Sequence, residues 1–249
     1  MLFIGIFLLV LAGIFFFIAR GQKAKAGKLA GTDMYDAATL QALHERIAGS
    51  LGADALAEQC EVSGIIEAEQ PLQGKLSGKA VVWYRATVTR EYEEQVTRRD
   101  EDGKLETVTE SGSEQIEAHK EHIDFYVRDP SGRVRIDPDA ADLELVETHN
   151  SLTSPEEEQI GKRRITGIRS VERALPVGSQ VFIHGCAIDR GGEVVIAKHP
   201  HKGDEKFIIS LRSERELLQS ASGTARNMQV AAGACGGLGA LLTILGLVL

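Results

Sequence analysis

The sequence predicts an α+β protein, a mainly antiparallel β domain curled towards a barrel and lying between two transmembrane helices. Three observations predict it. Lys, Arg, Asp and Glu are confined to residues 20–226, which leaves an uncharged stretch at each end. Helical spacing of apolar residues occurs at the margins. Through the middle, apolar residues alternate at the period of a strand between Gly- and Pro-containing turns.

Residues 2–19 are an unbroken run of Leu, Ile, Val, Phe, Ala and Gly. At about 1.5 Å per residue it is long enough to cross a bilayer core. Arg20, Lys23, Lys25 and Lys28 follow it closely, so the positive-inside rule places the next segment in the cytoplasm. Arg212, Arg215 and Arg226, ahead of the second apolar stretch at 230–249, agree. The expectation is an integral membrane protein crossing twice, with the lipid bilayer as its first partner. A cleaved leader is the competing reading, since Ala24-Lys25-Ala26 fits a small-x-small site; the missing basic start and the long apolar run weigh against it. In the second stretch Gly233 and Gly237 have GxxxG spacing, with Gly236 and Ala240 one step round. They are the candidate helix-packing residues and would allow a homo-oligomer; small residues as filler against lipid is the plainer alternative.

The formal net charge of −8 lies wholly between these stretches. An acidic domain repels phosphate backbones, so nucleic acid is not an expected partner. What remains is one domain of ordinary size at 54–218, preceded at 20–53 by a basic Gly/Ala/Lys linker and an amphipathic helix. Cys60, Cys186 and Cys235 form no CxxC pair, and Cys60 and Cys186 read as small buried hydrophobes in a reduced compartment.

Asp33 can cap a helix running from Met34 to about Ser50, with Leu40, Leu43, Ile47 and Leu51 on one stripe. A strand follows at 61–69, where Gly64 marks a bulge or close approach. Val82, Tyr84, Ala86 and Val88 then share one face of a long strand, the first arm of a hairpin over 79–127. Asp102-Gly103 supplies its turn, and its tip, roughly 98–113, is polar on both faces and reads as a solvated, mobile segment, with an arm for a protein partner as the alternative. The return strand is expected over 116–127. Asp129-Pro130-Ser131-Gly132 is a turn by composition. Short strands are expected around Val134–Ile136 and 143–146, and a short helix capped by Ser154 with Pro155 in its first turn. Strands resume at 165–171 and 180–188, separated by Leu175-Pro176-Val177-Gly178. Gly191-Gly192 leads to a strand at 194–196, and 207–209 is the last, before a helix capped by Ser213.

No catalytic constellation emerges, and no cofactor is implied. His119 and His122 are three apart in a strand, which puts them on opposite faces. His199-Pro200-His201, with Asp204 nearby, is a weak metal candidate and otherwise a surface loop. Neither GxGxxG nor GxxxxGK[ST] occurs, and Cys186 has apolar strand neighbours where a thiolate is disfavoured.

Together these pieces resemble the GIDE-type, or "beside a membrane" (BAM), domain of the mitochondrial E3 ubiquitin-protein ligase family. The similarity rests on Gly64; Tyr84-Arg85 with Arg90-Glu91; Asp124-Phe125 with Asp129 and Gly132; Glu172-Arg173 with Leu175-Pro176-Val177-Gly178 and Gly185; and Phe207 to Leu211 before the second apolar stretch. Tyr84, Arg85, Arg90 and Glu91 are the candidate partner-binding residues. In the family's ligases a zinc-binding RING after the second helix recruits the charged ubiquitin carrier. The sequence closes at Leu249, so no ring ligand is carried over, and the resemblance implies a membrane-side domain without the RING. The expected function is a non-catalytic interaction or sensing module at a membrane, with two alternatives: a ubiquitin-like pathway whose RING is supplied in trans, and a metal-dependent membrane-associated enzyme.

Overall fold

The structure, a computed structural model, describes residues 2–29, 33–52, 55–99, 103–154, 159–211 and 214–248. The chain divides into two compact units. The first contains the terminal helices α1 (Leu2–Leu29) and α3 (Glu214–Val248). The second contains α2 (Ala37–Leu51) and the β-strands.

Five strands close a barrel: β1 (Ala57–Glu67), β5 (Phe125–Asp129), β6 (Gly132–Ile136), β12 (Val194–Ala197) and β11 (Gln180–Asp189), with β11 returning to β1. In chain order they close as first, second, third, fifth, fourth. The third and fifth, β6 and β12, are parallel, whereas β1–β5, β5–β6 and β11–β12 are antiparallel. That connectivity is an OB-fold barrel, a scaffold that hosts many functions and by itself names none. Its core holds Val62, Ile66, Phe125, Val127, Ile136, Val181, Ile183 and Ile196, all nearly inaccessible. A Cβ on Gly64 would run into the Arg128 carbonyl, so the expected close approach of β1 to β5 is real and requires glycine.

Two insertions interrupt the barrel. Between its first and second strands come β2 (Leu72–Gln73), β3 (Ala80–Arg99) and β4 (Leu105–His122). Between its third and fourth come β7 (Asp142–Glu144), β8 (Val146–Thr153), β9 (Gln159–Ile160) and β10 (Arg163–Pro176). β13 (Ile208–Ser210) and β7 extend the barrel sheet beyond β11. The remaining inserted strands form a second sheet with β3 paired to β2, β4 and β10, and β10 paired to β8 and β9.

Helix α2 is fastened at its start and at its midpoint. The Asp36 carboxylate accepts from Thr39 N at 2.7 Å, while Asp129 and Ser131, in the β5–β6 turn, accept from Ala37 N and Ala38 N at 2.8 and 3.0 Å. Four helix-start donors have no partner within a helix, and here three are met, two of them from a turn far away in sequence. Asp129 also accepts from Ser131 N and Gly132 N. Its partial burial opposes ionisation, yet these donors hold its pKa below the ordinary range. At mid-helix, His44 Nε2 donates to Asp189 Oδ2 at 2.6 Å, and Asp189 Oδ1 accepts from Gly192 N at 2.8 Å.

Several expectations change. The helix start moves from Asp33 to Asp36, because Asp33 O accepts from Glu61 N and Met34 bridges β1 instead. His44, a polar residue, replaces Leu43 on the buried stripe with Ala37 and Leu40. The basic stretch after Arg20 is helical to Leu29 and not a linker, in keeping with the helix preference of Ala, Lys and Gln. The return arm ends at His122: Ile123 N bonds Val82 O, and the chain crosses into the barrel as β5. The turn residue Asp102, residues 155–158 of the short helix expected after Ser154, and Ser213, the expected cap of the last helix, lie outside the described residues; Gly103 has the positive φ of 81° that the hairpin turn demands.

In the first unit α1 and α3 pack antiparallel. A Cβ on Gly239 would sit 3.0 Å from Gly5 O, and one on Gly236 would sit 3.7 Å from Ala12 Cβ. The seam therefore runs through Gly5, Gly236 and Gly239; a Cβ at Gly233 or Gly237 meets nothing within 4 Å. Among the described residues no helix is long and apolar enough to cross a membrane.

Asp129→Ala removes an acceptor shared by α2 and the β5–β6 turn and is expected to destabilise the protein by about 2 kcal/mol in denaturant titration. Asp129→Asn, which keeps one carbonyl acceptor, should lose less.

Candidate partner-binding sheet

In the second sheet, residues in register share a face, and β3 lies between β4 and β10. Its inner face carries Tyr84, Ala86, Val88, Arg90 and Tyr92; its outer face carries Trp83, Arg85, Thr87, Thr89 and Glu91.

The inner face is built on a buried carboxylate. Glu172, opposite Ala86, is inaccessible and accepts from Leu76 N at 2.7 Å, Ser77 Oγ at 2.5 Å and Thr148 Oγ1 at 2.8 Å. It ties the β2–β3 loop to β8 through β10. A Cβ on Gly74 would lie 2.5 Å from its Oε1, so only glycine lets the loop close over it. Burial works against the charge, and the three donors outweigh it, so the Glu172 pKa is lowered. Tyr84, expected at a partner surface, is buried on this face with Val81, Ala86 and Ala174, and its hydroxyl donates to Glu121 Oε2 at 3.0 Å. Burial, then Glu121, push the phenol pKa up.

Further along the hairpin the chemistry becomes ionic. Tyr92 lies across Gly112, its cross-strand partner, where a Cβ would be 2.6 Å from the ring. Arg163 stacks on the same ring at 4.2 Å and pairs with Glu94 at 3.0 Å and Glu114 at 3.1 Å. Arg90 shares Glu114 at 2.7 Å. On the outer face Arg169 pairs with Glu91 at 2.9 Å and Arg164 with Glu93 at 2.5 Å. Arg90 and Glu91 therefore hold strands together. Beyond them a polar cleft of about 790 Å³ is lined by Glu93, Gln95, Thr97, Thr107, Thr109 and Lys162, among others. Of the four residues singled out from the sequence, Arg85 is the exposed one.

The weak metal candidates do not converge. His199 Nδ1 accepts from His201 N at 3.1 Å and Lys202 N at 3.2 Å, so this nitrogen shapes the loop, and the two rings lie 6.4 Å apart. Among the described residues no group of three or more His, Cys, Asp or Glu side chains is placed to hold a metal ion. His119 pairs with Glu117 and His122 with Asp139, at separate places. Cys60 and Cys186 are buried and form no disulfide, and burial pushes Cys186 up to about 11, which suits a packing role.

The sequence model of the GIDE family, described as E3 ubiquitin ligase, matches residues 93–246, more than half of the chain. The chain belongs to the GIDE family. The match begins within β3 and takes in β4, the barrel from β5 onward, the whole second insertion and most of α3. No curated protein and no solved structure gives a match. Sequence reasoning did not foresee that polar groups of this GIDE-family domain are interior, Glu172 and His44 among them; His44 lies on the apolar stripe of α2, which was its signal, whereas Glu172 stands in a mixed strand beside Arg173 and gave none.

Glu172→Gln is expected to lower stability by about 2 kcal/mol near neutral pH. The native contribution is full above the ordinary carboxylate value of 4.5 and is lost as pH falls through the lower folded-state value, so the gap between wild type and variant should close in acid. A gap that stays constant down to low pH would assign the effect to shape and not to charge.

Proposed function

We propose that this GIDE-family chain is a membrane-anchored, non-catalytic interaction module whose β domain presents its second sheet and polar hairpin to a protein partner. The observation that carries the anchoring is the apolar exterior of the two packed helices. Phe3, Phe7, Val10 and Phe17 on α1 are exposed, as are Val230, Leu238 and Leu241 on α3, Phe3 by as much as 85%. Helices apolar on their outward faces as well as at their seam are unstable in water and suited to hydrocarbon. The basic residues Arg20, Lys23, Lys25 and Lys28 support a cytoplasmic β domain. Gly233 and Gly237, which face away from the internal seam, leave a face for a second copy.

A second reading follows from the family description: the module serves E3-type ubiquitin transfer, with the bond-making RING supplied in trans. Reconstitution with activating and conjugating enzymes is expected to give transfer only when a RING protein is added; transfer by this chain alone would overturn the non-catalytic reading.

The full chain is expected to remain with the lipid pellet after an alkaline carbonate wash, and the double substitution Phe7→Arg, Val10→Arg to release it. Recovery of the unaltered chain in the supernatant would refute the anchoring. Reporter insertion at 103–110 should report the cytoplasmic side.

A further inference from the structure

Most arginines of the second sheet have a carboxylate. Lys120 on β4, Arg85 on β3 and Arg173 on β10 do not, nor does Arg99 near the hairpin tip, and the first three stand abreast on adjacent strands, Arg85 in register with both. All three are exposed, and among the described residues none makes an ion pair. Arg90, Arg163, Arg164 and Arg169 in the same sheet are each paired. Like charges directly opposite one another destabilise a sheet, and a protein of net charge −8 has carboxylates enough to have broken up the row.

The setting strengthens the field of these charges. The next row towards the barrel, Trp83 with Leu175, is buried, so the cations border low-dielectric material that weakens screening. Lys120 Nζ lies 5.4 Å from the Trp83 ring, so the ammonium sits at that border. On the other side Thr87, partly exposed, adds a hydroxyl on the same face. Strands about 4.8 Å apart put the outer two cations roughly 10 Å from each other at the backbone, within reach of one anion for side chains this long. Glu147, opposite Arg173 on β8, is hydrogen-bonded by Asn150 at 3.0 Å and makes no ion pair with it.

We infer that Lys120, Arg85 and Arg173 form a binding site for a multiply charged phosphate group. Two guanidinium forks and an ammonium match several oxygens at once, and a phosphomonoester or pyrophosphate neutralises a triple positive charge where a single carboxylate leaves most of it. The inference concerns the β domain alone and stands whether or not the helices enter a bilayer.

The test uses the full chain in nanodiscs of uncharged phosphatidylcholine. Pyrophosphate and short-chain phosphatidic acid are titrated separately by calorimetry, the first probing a soluble phosphate and the second a lipid headgroup. Saturable binding is expected in at least one arm, weakening as salt rises. Tighter binding of phosphatidic acid by tenfold or more assigns the site to a lipid headgroup, and equal or tighter pyrophosphate to a soluble phosphate. Arg85→Gln and Arg173→Gln should each weaken it by about tenfold or more, and Glu147→Gln should tighten it. Thermal unfolding checks the fold, and relief of the like-charge contact should leave Arg85→Gln at least as stable as wild type. Absence of saturable binding in both arms, or unaltered affinity in both arginine variants, would overturn the site.

Discussion

Neither long insertion can satisfy its own backbone, and the ladder between β3 and β10 is the constraint on which the second sheet depends. Each insertion leaves the barrel from a different gap, and each contributes a strand whose free edge would otherwise be solvated or sticky. Pairing one with the other makes a sheet that no single insertion encodes. Glu172 sits in that ladder and reaches both ways, to the β2–β3 loop and to β8. A charge in that position is tolerated because its donors were fixed in place by the same strands.

The sheet changes character along its length. Near the barrel its inner face is apolar around Tyr84 and Ala174; towards the hairpin tip it is held by Arg163, Glu94 and Glu114 around the Tyr92 ring. Exposed ion pairs contribute little singly, so the tip is held mainly by its ladder and by the packing of Tyr92 on Gly112. The unpaired cations lie at the transition between these zones, where exposure and a low-dielectric border coincide.

The two helices obey a different rule. Glycines at Gly5 and Gly239 let their backbones approach, while their outer faces keep large apolar side chains uncovered.

Local sequence determined the strands, the turns at Asp129–Gly132, Gly178 and Gly191-Gly192, the close approach at Gly64 and the resemblance to the GIDE family, because period and backbone permissiveness are properties of a few neighbouring residues. Arg85 was legible as a candidate; Tyr84 looked equally available, and alternation alone does not say which face is covered. Tertiary structure decided the rest. It sent the chain from His122 into the barrel, closed β11 on β1, turned Asp129 and Ser131 into a cap for α2, buried His44 and Glu172, and set Lys120 and Arg173 beside Arg85. Those outcomes join residues tens of positions apart, and only the register of one strand on another fixes which of them meet.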